Sequence, residues 1–206
     1  MLQEALKANP AHKAVIAVTG GSGVMKTCVS ALFTYYLKEL GIGAYTLSGD
    51  NYPWRIPVQN DAERMRIFRM GGVEGMLAQG VYNPENAAIL KELQLADLDS
   101  EPKKQEEYPW LAAYQSAGRE ALSGYLGTEL EQNYAKLESV LAQFKAGQEK
   151  IWLRRLGNED TDLWYDEKDF SQISVLVLEW THGISGKFAG VAVPILLSST
   201  PAETRE

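Results

Sequence analysis

The sequence predicts an α/β architecture, with helices on both faces of a mostly parallel central sheet. Three observations carry this. Ala14-Val15-Ile16-Ala17-Val18 is a continuous apolar run rich in β-branched residues, the mark of a strand covered on both faces. It passes through glycine-rich Gly20-Gly21-Ser22-Gly23 into Thr27–Leu40, which is apolar nearly all round and reads as a helix packed deep on a sheet. Further strand-like runs recur at 44–47, 174–178 and 191–197, separated by helical patterns. The chain has 206 residues, 45% hydrophobic and 23% charged, which suits one α/β domain with a sizeable core.

The elements follow in order. Leu2 and Leu6 lie four apart, so a short helix is expected before Pro10. Strand one covers 13–18, and the helix after it ends at Gly41 and Gly43. Strand two, 44–47, leads into Ser48-Gly49-Asp50-Asn51-Tyr52. Residues 53–127 contain no convincing parallel strand and read as a helical insertion. It has helices at 61–70, capped by Asn60 or Asp61, from Pro84 to about Ala96, and over 110–126. Asp97 to Glu107 reads as a charged, solvated loop. Thr128 to Phe144 is expected as an amphipathic helix, with Leu130, Tyr134, Leu137, Leu141 and Phe144 as its stripe and Thr128 with Glu131 as a capping box. Two short strands, 150–156 and 163–165, flank the turn Gly157-Asn158-Glu159-Asp160. Strands three and four complete the sheet, and a polar tail runs from Ser198 to Glu206.

The turn between strand one and its helix has the layout of a phosphate-binding P-loop, or Walker A motif. Glycines let backbone N–H groups converge on phosphate oxygens, and the helix start adds partial positive charge. Gly20, Gly21, Ser22, Gly23, Val24, Met25, Lys26 and Thr27 are the expected nucleotide-binding residues. Lys26 reaches terminal phosphates and the Thr27 hydroxyl ligates magnesium in this reading. The pattern G-x-x-x-x-G-K-[ST] asks for glycine where Met25 stands. A methionine there is expected to narrow the cradle without breaking the fold. Its replacement by glycine is expected to improve ATP binding at some cost in stability.

Formal net charge is −7, which argues against nucleic acid or an anionic membrane as a general partner but allows a small phosphorylated ligand. No run approaches transmembrane length. The first residues, Met1-Leu2-Gln3-Glu4-Ala5-Leu6-Lys7, lack a signal-peptide core, and a single cysteine, Cys28, excludes an internal disulfide. A cytoplasmic location is the natural expectation. Cys28 is expected as a small core residue on a buried helix.

Three stretches line up in order: Gly20 to Thr27, Leu47-Ser48-Gly49-Asp50-Asn51-Tyr52, and Val175-Leu176-Val177-Leu178-Glu179. Together they resemble the phosphoribulokinase and uridine kinase family of P-loop kinases. Tyr165-Asp166 resembles the Tyr-Asp pair that this family carries on a small hairpin. The resemblance spans about 13–50 and 128–205 and leaves the insertion uncovered. It implies a P-loop NTPase-type three-layer sandwich, a single kinase-like domain over 1–206 with its helical insertion at about 53–127. It also implies phosphoryl transfer from ATP with Mg2+ to a hydroxyl of a small metabolite. Asp50 is then the base, Lys26 a catalytic cation, and Glu179 a holder, with Thr27, of magnesium or its waters.

Open α/β sheets bind ligands at the carboxyl ends of their strands, so residues following Asp50 and Glu179 border the site. Tyr52, Arg55, Arg64 and His182 are the expected substrate contacts, the arginines suiting a phosphate or carboxylate on the acceptor. Arg66, Arg69 and the pair Arg154-Arg155 are weighed in the same role, against a solvated surface face. His182 has no cluster of Cys, His or acidic residues that would make it a zinc ligand. The family also carries a lid with arginines after the fourth core strand, and usually another strand, whereas this sequence ends at Thr204-Arg205-Glu206. A truncated chain or a reduced relative is expected on that account. Met25 and the missing lid favour a second class of function, a non-catalytic or regulatory nucleotide-binding protein. Lys26, Thr27, Asp50 and Glu179 together favour an active kinase. An adenylylsulfate kinase-like transferase is the third alternative.

Overall fold

The computed structural model describes residues 1–198; the remainder of the expected polar tail, with Arg205, lies outside the described residues. In chain order the elements are α1 (Leu2–Ala8), β1 (Ala14–Gly20), α2 (Lys26–Glu39), β2 (Ala44–Ser48), a 3-10 turn (Gly49–Asn51), α3 (Pro57–Ala78), α4 (Pro84–Leu95), α5 (Lys104–Glu107), α6 (Leu111–Ser123), α7 (Tyr134–Lys145), β3 (Lys150–Leu156), β4 (Leu163–Asp169), β5 (Val175–Glu179) and β6 (Val193–Leu197). They fall into two compact units, one of Met1–Ile56 with the chain from Gln132 onward, the other Pro57–Glu131. Among the described residues, no helix is long and apolar enough to cross a membrane.

The first unit is α/β. Its four-stranded sheet has the order β2-β5-β1-β6 and every pairing is parallel, as the unbroken apolar runs predict. β1 and β5 are buried residue by residue. One face is packed by α1 and α2, through Leu2, Leu6, Val29, Phe33 and Leu37 against Ile16, Val18, Val175 and Val177. The other face is packed by α7 and the β3–β4 hairpin, through Leu137, Leu141, Phe144, Ile151 and Leu153 against Val15, Leu47, Leu176 and Leu178. The strand residues alternate between these two clusters, which is the period-two geometry of a strand between two layers.

Several expectations are corrected here. α2 is not packed deep all round: Ser30 and Leu37 are its buried residues, while Leu32, Tyr35, Tyr36 and Leu40 are exposed. Cys28 is exposed too, because it lies about 200° around the helix from Ser30 and so faces away from the sheet. α7 starts at Tyr134 rather than at 128. Its cap is Asn133, whose side chain accepts from Lys136 N at 3.0 Å, and Leu130 is left exposed. β4 runs on to Asp169, four residues past the expected end, in full register with β3.

The second unit is helical, built on α3 packed along α6. Small residues make the close approach possible. A Cβ on Gly71 or Gly75 would meet the Ala121 or Ala117 methyl, and one on Gly72 would meet the Tyr114 ring at 2.5 Å. Phe68, Met76, Leu90, Leu93, Leu111 and Tyr114 form its core. α3 begins at Pro57, suited to a first helical turn, and not at a cap formed by Asn60 or Asp61. Asn60 is buried instead, and its amide donates to Glu131 Oε1 at 3.1 Å while its oxygen accepts from the Tyr125 hydroxyl at 3.0 Å. Glu131 is no capping-box partner either: it is fully buried and accepts from Gly127 N at 2.6 Å. The 97–107 stretch is not merely solvated. Asp99 is fully buried, accepting from Arg69 Nε at 3.1 Å and from the Tyr114 hydroxyl at 2.7 Å, and α5 forms within the stretch.

Candidate active site

Parallel strands bring their carboxyl ends to one edge of the sheet. Val18, Ser48 and Glu179 stand abreast there, on β1, β2 and β5. The three chain segments leaving that edge carry the candidate residues of the first unit.

After β1 the backbone turns sharply. Gly20 has φ 155°, and a Cβ on it would lie 2.5 Å from Leu197 O and 2.7 Å from Val24 Cγ2, so only glycine fits. Gly21, Ser22 and Gly23 are exposed. Met25 adopts φ 60°, ψ 29°, the left-handed conformation, immediately before α2 begins at Lys26. A glycine takes this conformation freely and a methionine takes it with strain. The Met25 side chain points to solvent, 66% exposed, and does not fold back into the loop. Lys26 Nζ donates to Gly21 O at 2.7 Å, so the lysine arches over the loop it closes.

Glu179 is 7% exposed at the end of β5. Burial pushes its carboxyl above the ordinary glutamate range and the nearby Asp50 charge adds to this, while Lys26 and a hydrogen bond from the Thr27 hydroxyl oppose it. Lys26, Thr27, Asp50 and Glu179 are therefore within electrostatic reach of one point. Asp50 itself is exposed on the 3-10 turn, whose start is capped by Ser48 Oγ accepting from Asp50 N at 3.3 Å. Gly49 is needed beneath it because the Trp180 ring occupies the space of any side chain. Thr19 Oγ1 donates to Thr181 O at 2.8 Å, which ties the end of β1 to the segment after β5.

The other expected contacts are distributed as follows. Tyr52 is fully buried in the core cluster under the sheet edge. Burial raises its hydroxyl well above the usual tyrosine range, partly offset by Arg155 and Arg154. Arg55 is half-buried in the same unit. His182 is half-buried and stands edge-on to Trp180 with ring centres 5.2 Å apart. Arg64 belongs to the helical unit, where Nη2 donates to Glu131 at 2.6 Å and Nη1 to Asp61 at 3.0 Å. There Arg66 pairs with Glu63, and Arg69 with Asp97 and Asp99. Arg155 pairs with Asp166 at 3.1 Å and donates to the Tyr45 hydroxyl at 2.8 Å. Lys136 Nζ lies 5.0 Å over the Tyr165 ring.

Sequence reasoning passes over Asn51, which ties the turn bearing Asp50 to the hairpin. Its Nδ2 donates to Ser48 O at 3.3 Å and its Oδ1 accepts from Leu156 N at 3.0 Å. Nothing in the pattern around it separates it from an ordinary turn asparagine. The hydroxyl of Thr27 beside the carboxylate of Glu179 is a set of hard oxygen donors, which fits magnesium. Among the described residues, no group of three or more His, Cys, Asp or Glu could hold a metal alone. That is the ordinary situation for a magnesium ion shared with phosphate oxygens.

No family model matches the chain. Over 198 residues, 96% of its length, it is 37% identical to the bifunctional alpha-galactosidase/sucrose kinase AgaSK of Mediterraneibacter gnavus, and it spans about 16% of that protein.

Proposed function

We propose that this chain is a P-loop kinase that transfers the terminal phosphoryl group of ATP to a hydroxyl of a small sugar. The observation that carries the reading is the meeting of Lys26, Thr27, Asp50 and Glu179 at the carboxyl edge of the sheet, beside a glycine turn that opens a helix. The name of the AgaSK relative supports the reaction class and the sugar. The resemblance of Gly20 to Thr27, Leu47 to Tyr52 and Val175 to Glu179 to the phosphoribulokinase and uridine kinase family supports the same chemistry.

Each residue then has a task. The loop from Gly20 to Met25 and the start of α2 cradle phosphate oxygens with backbone N–H groups. Lys26 leaves its resting contact with Gly21 O and neutralises charge developing on the transferred group. Asp50, exposed and unencumbered by an ion pair in the described residues, accepts the proton of the attacking hydroxyl. Thr27 and Glu179 would hold magnesium, which supplies charge neutralisation at the phosphate oxygens.

The test is ADP formation from magnesium-ATP with sucrose and a panel of sugars, for the wild-type chain and for Asp50→Asn. The asparagine form keeps the shape of the turn and should lose turnover by about 10²–10⁴-fold while still binding nucleotide. Asparagine turning over at the wild-type rate would remove Asp50 from the chemistry. The strain at Met25 favours one second reading, a nucleotide-binding protein without turnover. Nucleotide binding with no ADP release on any sugar would establish that reading instead.

A further inference from the structure

Asp50 rides on a 3-10 turn of three residues, Gly49–Asn51. Its side chain is exposed, and among the described residues its carboxylate takes part in no hydrogen bond or ion pair. Such a base is aimed by its backbone alone, so whatever fixes the turn fixes the base.

Three consecutive residues of β3 hold the chain around it. Arg155 Nη2 donates to the Tyr45 hydroxyl at 2.8 Å, before the turn, and Arg154 Nη1 donates to Pro53 O at 2.6 Å, after it. Leu156 N donates to the turn itself, to Asn51 Oδ1 at 3.0 Å. The other end of the Asn51 amide returns to the sheet, where Nδ2 donates to Ser48 O at 3.3 Å. Past the turn, Pro53 pairs with Gln132 in an isolated antiparallel bridge, and Asn133 N donates to Tyr52 O at 2.8 Å. The four-stranded sheet and the β3–β4 hairpin share no strand pairing, so side chains join them here, and Asn51 is the one that stands on the turn.

An amide suits this place because it carries a donor and an acceptor on one planar group. It gives to the carbonyl of one segment and takes from the N–H of another. An aspartate would accept at both ends. An asparagine that only shapes a turn bonds backbone a few residues away. Asn51 does that at Ser48, and it also reaches 105 positions along the chain to Leu156. We infer that Asn51 is a positioning residue: it fastens the turn to the end of β2 and to the end of β3, and so aims the Asp50 carboxylate at the acceptor hydroxyl. Its role rests on the phosphoryl-transfer reading and adds the device that orients the base. The proton passes to Asp50, and Asn51 neither gives nor takes one.

The test compares Asn51→Ala with wild type and with Asn9→Ala in the full chain. Asn9 is a second bridging asparagine, at the opposite end of β1. Its Oδ1 accepts from Ala11 N and Lys13 N, and its Nδ2 donates to Lys145 O. Turnover of magnesium-ATP with sucrose and the sugar panel is read well below each melting temperature. Asn51→Ala should lower kcat about 10- to 100-fold and leave KM for ATP and sugar within about twofold. Asn9→Ala should melt lower and keep the wild-type kcat. Amide exchange at Leu156 should quicken in Asn51→Ala. Added to Asp50→Asn, Asn51→Ala should cost no further turnover, because the group it aims is gone. Asn51→Ser is too short to span Ser48 O and Leu156 N together, so it should lose kcat as alanine does, and it serves if alanine unfolds. A wild-type kcat in either Asn51 variant, with only the melting temperature lowered, is what a structural role predicts and overturns the proposal. Unchanged exchange at Leu156, or the full Asn51→Ala loss repeated on top of Asp50→Asn, overturns it as well. A wild-type chain that forms no ADP with any sugar fails the kinase reading, and the role of Asn51 falls with it. Wild-type turnover that Asn51→Ala leaves unmoved fails the positioning role alone.

Discussion

Met25→Gly is the substitution at which the sequence pattern and the geometry make opposite statements. From the sequence, glycine at a helix start is expected to lower stability by about 0.5–1 kcal/mol. The structure reverses the sign. Met25 holds φ 60°, ψ 29°, a conformation that costs an L-residue about 1–2 kcal/mol and glycine almost nothing. The side chain is 66% exposed, so its removal forfeits little burial. Glycine returns about 0.5–1 kcal/mol through the greater freedom of the unfolded chain. The difference favours glycine by about 0.5–1 kcal/mol, which for a chain of this size raises Tm by about 1–4 °C. The assay is thermal unfolding of wild type, Met25→Gly and Met25→Ala under one buffer. Alanine keeps the left-handed cost and should show no gain. A glycine form melting at or below wild type, or an alanine form rising as far as glycine, would refute the strain argument. The same proteins titrated with magnesium-ATP should show tighter binding by the glycine form, because its loop reaches the phosphates without that cost.

Three further outcomes follow from the geometry. Lys26→Ala should weaken magnesium-ATP binding by about 1.5–3 kcal/mol in calorimetry, the worth of a charge-assisted contact, and an unchanged affinity would free Lys26 from the phosphates. Glu179→Gln should raise Tm at neutral pH, with the advantage vanishing as pH falls below 4.5, the ordinary glutamate value. The sign follows from linkage: the folded state raises this pKa, so it holds the proton more tightly than the unfolded chain, and stability drains away as pH climbs from that value through the folded one. A wild-type stability that rises across this window relative to the glutamine form would contradict it. Asp99→Ala should destabilise the helical unit by about 3–5 kcal/mol, because Arg69 and the Tyr114 hydroxyl lose their buried acceptor, and amide exchange in α3 and α6 should accelerate. Unaltered exchange there would show that the Arg69–Asp99 pair contributes nothing net.

The sheet was legible because its strands are covered on both faces. Runs such as Val15 to Val18 and Val175 to Leu178 announce themselves without any partner in view. Their ends placed Lys26, Thr27, Asp50 and Glu179 near one another by topology alone. The face of α2 was misjudged because apolar composition does not say which side meets the sheet: Tyr35 and Tyr36 count as hydrophobic yet stand in water. Glu131 and Asp99 were misread for a related reason. Charged residues in a polar stretch look solvated, and only the arrival of Arg64 and Arg69 from distant positions makes burial affordable. The conformation of Met25 could not be read at all from a pattern that says only that glycine is usual there. Gln132 and Asn51 carried no signal, since their significance lies in partners brought by folding.

The isolated bridge between Pro53 and Gln132, with the bond from Asn133 N to Tyr52 O, fastens the outgoing and returning strands of the chain at a single neck within the α/β unit. Everything from Pro57 to Glu131 is strung between those two points as a closed loop. Its length then adds little to the entropy of closure, which grows only as the logarithm of the residues enclosed. A descendant could lengthen, shorten or exchange that loop without renegotiating the sheet, provided the neck is kept. The neck also follows directly on the turn that carries Asp50, so the join between an interchangeable module and a constant one lies next in the chain to the candidate base.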